Sequence, residues 1–127
     1  MARDEITIQK PVIENTDSAG IEVITPQAVT VANGISLKGA MECMNNTLFI
    51  IINNTASSDA TVTLKKGEKF PNSMLGDLTL TAAKSKTTVI QIQDPARFVN
   101  ADCAIDIDFG SNFAGTIYAI GKKVGLV

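Results

Sequence analysis

Asp102, Asp106 and Asp108 are the residues whose type and spacing come closest to chemistry. Positions two apart in an alternating strand project from one face. Asp106 and Asp108 would therefore set two carboxylates side by side, and such a pair could hold a hard cation such as Ca²⁺. The competing reading is a solvated strand face whose charges discourage edge pairing. The stretch lacks the glycine and the distal glutamate of a calcium loop, which favours the solvated face.

Other chemistry has less to work with. There is no histidine among the 127 residues, which removes the commonest general base and the commonest metal ligand. No G-x-S-x-G, no phosphate-binding G-x-x-x-x-G-K-[ST] and no dinucleotide-type G-x-G-x-x-G occurs. A glycosidase-type carboxylate pair would need a cleft and a set separation, and with no tryptophan and one tyrosine few aromatics could grip a sugar. Lys65, Lys66 and Lys69 form a small basic patch that reads as a charged turn, as does Lys122-Lys123. Asn45-Asn46-Thr47 and Asn53-Asn54-Thr55 match the glycosylation acceptor pattern, but the first residues carry no secretion signal, so the matches read as chance. Cys43 and Cys103 sit in no C-x-x-C pair and are expected as two reduced thiols in an apolar core. No catalytic residue, cofactor or metal ligand is expected.

Composition narrows the classes further. Hydrophobic residues are 45% and charged residues 19%, enough apolar material for one packed core and too little charge for a disordered chain. The net charge of −2 argues against a nucleic-acid partner. No apolar run reaches the roughly 18 residues of a membrane helix, so no membrane partner is expected. Val, Ile and Thr make up 37 of the 127 residues, a β-protein composition.

Alternation and turn residues then place the elements. Strand signals fall at Ile21–Ile24, Ala28–Ala32, Ile35–Leu37, Thr47–Ile52, Ala60–Leu64, Asp77–Thr81, Thr87–Gln93, Ala104–Phe109 and Thr116–Ile120. Asn33-Gly34 is a strong two-residue turn signal. Lys69–Gly76 reads as irregular. Asp94–Phe98 reads as a turn, with Asp94 as cap, Pro95 at the first position of one helical turn and Phe98 tucked into the core. No helix of ordinary length is expected. The fold class is an all-β antiparallel sandwich, immunoglobulin-like or jelly-roll-like, of seven to eight strands. Its expected core is Phe49, Ile51, Val62, Leu64, Leu78, Leu80, Ile90, Ile92, Ile105, Ile107, Ile117 and Ile120.

Residues 1–20 look different from the rest, with mixed charge, Pro11 and the turn-like run Asn15–Gly20. They divide the chain into an extended N-terminal arm, 1–20, and a β-sandwich domain, 21–127. Ile6, Ile8, Val12 and Ile13 are the expected contacts of that arm with a partner, and deleting it is expected to leave the fold intact.

From Leu48 to Ile120 the layout resembles the small decoration or auxiliary structural proteins of tailed-bacteriophage heads. The resemblance rests on the apolar strand ending in Asn53-Asn54, on the A-T-V-T-L strand Ala60–Leu64, and on the loop from Phe70-Pro71-Asn72-Ser73 to Leu80. Its most specific part is the D-P-x-R-F turn Asp94–Phe98 with Val99-Asn100-Ala101-Asp102 and the strand Ile105–Phe109. The resemblance implies a virion protein on the capsid exterior that works by surface contact and adds no chemistry. It implies the major capsid protein as partner and allows a homo-oligomer such as a trimer. A tail or neck component, and a carbohydrate- or surface-binding adhesion module using the Asp106–Asp108 face, are the alternative expectations.

Overall fold

The computed structural model describes residues 2–9, 25–43, 46–68 and 70–121. Among them, nine strands form two sheets packed face to face, the expected β-sandwich. The strands are β1 (Asp4–Thr7), β2 (Gln27–Ala28), β3 (Ile35–Lys38), β4 (Leu48–Asn54), β5 (Ala60–Leu64), β6 (Leu78–Ala82), β7 (Lys86–Ile92), β8 (Ala104–Phe109) and β9 (Gly115–Ile120). One sheet has the order β1-β3-β8-β5-β6 and the other β2-β9-β4-β7. Every pairing is antiparallel except β1 with β3. Among the described residues the helical content is three short 3-10 turns, at Ala40–Glu42, Asn72–Leu75 and Pro95–Arg97.

Alternation explains which residues face inward. Val62 and Leu64, Ile90 and Ile92, Ile105 and Ile107, and Ile117 with Ala119 fill the space between the sheets. Strand β4 departs from expectation by one register step. Leu48, Ile50 and Ile52 join the cluster between the sheets, whereas Phe49 is exposed and Ile51, buried as expected, points to the opposite face of β4 and stands outside that cluster. A run of five apolar residues carries no alternation of its own, so the cross-strand partners decide. Ile50 pairs with Ile90 on β7 and with Ala119 on β9, and both of these are core residues. Leu78, Leu80 and Ile120 are only partly buried.

Three further expectations are corrected. Strand β2 is only two residues long, because the chain turns at Thr30, whose carbonyl accepts from the amides of both Asn33 and Gly34. The turn at Asn33-Gly34 exists, but it carries the chain from one sheet to the other instead of closing a hairpin. Cys43 is buried as expected, whereas Cys103 is exposed in the turn before β8, and neither is bridged.

The largest correction concerns the N-terminus. Part of the supposed arm belongs to the sandwich. β1 pairs with β3, and Ile6 and Ile8 lie in the core. The Ile8 amide donates to the Lys38 carbonyl in one sheet; the Gln9 amide donates to the Ala119 carbonyl in the other. This short segment thus stitches the two sheets together. Ile6 and Ile8 are packing residues and are not available to a partner. The strand expected at Ile21–Ile24, and the expected contacts Val12 and Ile13, lie outside the described residues.

Candidate interaction surface

The paired carboxylates come first. Asp106 and Asp108 do share a face of β8, and Arg3 lies against both. Its Nη1 is 2.5 Å from Asp108 Oδ1 and its Nε is 3.6 Å from Asp106 Oδ2. The same Nη1 also donates to the Ile107 carbonyl, at 3.1 Å. Gly34 makes room for this guanidinium. Its φ is +69°, and a β-carbon there would lie 2.5 Å from Arg3 Nη1. The chain itself supplies the cation that the carboxylate pair could have recruited. Asp102 is not part of the group; its amide donates to the Asn100 side chain in the turn before β8. Among the described residues no cluster of three or more metal-ligating side chains forms.

A different feature is the most distinctive on the surface. Phe70, Met74 and Leu75 are 80%, 73% and 72% exposed, and all three lie in one eight-residue stretch before β6. An exposed large apolar residue alone needs no explanation, but three within six residues of chain make this loop the candidate interaction surface. The loop that carries them is tied down from several sides.

Arg97 is the main tie. Its Nε donates to the Gly76 carbonyl at 3.2 Å, and its Nη2 reaches the carbonyls of Asp77 at 3.4 Å and Leu75 at 3.5 Å. Its guanidinium carbon lies 4.8 Å from the centre of the Phe98 ring, whose side chain is buried. The turn that presents Arg97 is built as its residue types require. Asp94 Oδ1 accepts from the Ala96 amide at 3.1 Å, and Pro95 occupies the first position. The other carboxylate oxygen of Asp94 accepts from Asn72 Nδ2, which joins this turn directly to the loop.

The far side of the loop is held by Asp77. Its carboxylate accepts from the Lys66 amide at 2.7 Å and pairs with Lys65 Nζ at 3.2 Å. These two contacts, the Lys66 amide first, hold its carboxyl below the usual value of 3.8. Lys65 and Lys66 therefore serve this anchor, while Lys69 lies outside the described residues. Behind them, the Gly67 amide donates to the Arg97 carbonyl and the Glu68 amide to that of Val99. The approach is so close that a β-carbon on Gly67 would lie 2.2 Å from the Val99 carbonyl oxygen.

The result is an apolar knuckle on a braced loop. Its chemistry is contact: each of these side chains contributes about 1.5–3 kcal/mol when a partner buries it fully. Pre-bracing lowers the ordering cost on binding. Alternation and turn residues assign this loop no element. The available signal was Phe70, Met74 and Leu75 together in a segment without alternation, between Pro71 and Gly76.

No family model, curated protein or solved structure gives a match to this chain.

Proposed function

We propose that this chain is a non-enzymatic structural protein of a tailed-phage virion that decorates or cements the capsid exterior, with the major capsid protein as its partner. One observation carries the reading: the knuckle of Phe70, Met74 and Leu75, held out from the sandwich by Arg97. The D-P-x-R-F turn, the most specific part of the resemblance to head decoration proteins, is the element that braces this knuckle. A lattice repeats each contact many times, so three apolar side chains per copy suffice where a free protein would need a larger interface. The Arg3 pairing of Asp106 and Asp108 weighs against the calcium-dependent adhesion alternative.

The test is binding to particles stripped of the chain. Wild type is expected to rebind. The double variant Phe70→Ser, Leu75→Ser is expected to bind about 100-fold more weakly, since two buried side chains account for at least about 3 kcal/mol. Its melting temperature is expected to stay unchanged, because both residues are exposed. Equal binding by the variant would remove the knuckle from the interface. Gold label on the tail instead of the head would move the protein to the neck or tail.

A further inference from the structure

The four sheet edges are not equally protected. β1 carries Asp4 and Glu5, and β2 is two residues long. β6 is uncharged but only five residues long, whereas β7 is a seven-residue edge strand whose one charge, Lys86, stands at its first position. It holds no proline, and Val89 at its centre is 59% exposed. Natural sheets protect such edges with charge, proline or bulges. None of these occurs between Thr87 and Ile92.

Register identifies the open groups. The Thr55 amide donates to the Ala114 carbonyl, in line with the β4–β9 register. Hydrogen-bonded pairs alternate along an antiparallel ladder, so Phe49, Ile51 and Asn53 aim their backbone groups at β9. Leu48, Ile50, Ile52 and Asn54 then aim theirs at β7, where they meet Ile92, Ile90, Thr88 and Lys86. The amides and carbonyls of Thr87, Val89 and Gln91 are left pointing away from the sheet. On β6, the same reasoning from the Lys65–Asp106 bond leaves only Thr79 and Thr81 pointing outward within the strand.

We propose that β7 pairs with β7 of a second copy of this chain, antiparallel and about a two-fold axis through Val89. The strand is self-complementary in this register. Thr87 of each copy meets Gln91 of the other, and Val89 meets Val89, so that all six outward backbone groups of each strand are paired. The side chains of Thr87 and Gln91 do not obstruct the approach. Thr87 Oγ1 donates to Asn53 Oδ1 and Gln91 Nε2 to the Asn46 carbonyl, both within the same copy. Charge is complementary as well. Lys84 and Lys86 at one end of the strand fall beside Asp94 at the end of the other copy's, and all three are exposed. The outer faces bearing Phe49, Ile51, Val89, Tyr118 and Ile120 then join into one eight-stranded sheet. This pairing is independent of the capsid proposal.

Sedimentation velocity on the purified full chain tests it, over a range from about 1 to 100 µM. Wild type is expected to dimerise within that range. Val89→Lys places two cations on the axis and is expected to raise the midpoint concentration at least about tenfold, with an unchanged melting curve at dilutions where both proteins are monomeric. A second route does not depend on that variant folding well. Val89→Cys in a Cys103→Ser background sets two thiols on the axis with Cα atoms about 5.5 Å apart, within reach of a short thiol-to-thiol cross-linker. A short bis-maleimide is expected to link it into a covalent dimer, while Thr79→Cys on β6 in the same background stays monomeric. The proposal is overturned by a wild type that is monomeric throughout, or by equal cross-linking of the two cysteine variants.

Discussion

Asn54 shows what one residue does here. It is fully buried at the end of β4, on the core-facing side. Its Nδ2 donates to the carbonyls of Ala82 at 3.0 Å and Ser58 at 3.2 Å, and its Oδ1 accepts from the Ala56 amide at 3.0 Å. Asn54→Ala is expected to cost about 2–4 kcal/mol, because the Ala82 carbonyl loses its partner in a buried bond and the Ser58 carbonyl and Ala56 amide lose theirs at part-buried ones. Thermal denaturation would read this as a drop of about 10 °C. The sequence could suggest only that Asn53 and Asn54 end a strand; the burial of Asn54 depends on carbonyls from Ser58 and Ala82. The roles of Asp94, Pro95 and Phe98 were legible beforehand, since cap, first turn and apolar closure are local effects. The side of β4 that faces the core was not, because Phe49 to Ile52 are all apolar and only β7 and β9 break the tie.

At the scale of elements, the braced loop before β6 and the Pro95–Arg97 turn act together. Arg97→Ala would release the carbonyls of Leu75, Gly76 and Asp77 while leaving the buried Phe98 in place. Amide exchange around Gly76 is expected to rise by about tenfold or more, with a melting temperature within a few degrees of wild type. Particle binding should fall with it if the knuckle acts as a rigid unit. The Asp77 anchor also predicts a pH response. Its folded pKa is depressed, so its contribution is present above the ordinary value of 3.8 and is lost as the pH falls below that toward the folded value. Loop amides followed by NMR should loosen in that acid window and stay constant above it. Strands β3 and β5 to β9 were legible from alternation, and β4 from its apolar run, to within a residue or two at each end. The knuckle was not assigned a function, because no periodic pattern marks a 3-10 turn whose apolar side chains point outward. Arg97 was legible as part of a motif, but its reach to carbonyls twenty residues away was not.

At the scale of the whole molecule, the N-terminal strand is the part that sequence reading misjudged. Parallel pairing with β3 joins segments about thirty residues apart, and a four-residue strand that begins Asp4-Glu5 directly after Arg3 resembles a frayed end. Residues 2–9 bring Ile6 and Ile8 to the core, Arg3 to the β8 carboxylates and Gln9 to the second sheet. Their deletion is expected to unfold the chain or lower its melting temperature by more than about 10 °C, and Ile6→Ala alone to cost about 2–4 kcal/mol. An unchanged melting curve after deletion would restore the arm reading for this segment. The proposed function has the whole sandwich working by contact. Its most direct test is gradient sedimentation of nuclease-treated particles from the source culture, probed with antibody to this chain. The account predicts co-sedimentation with full heads at a fixed copy ratio to the capsid protein. A chain that stays at the top of the gradient under gentle preparation would contradict it.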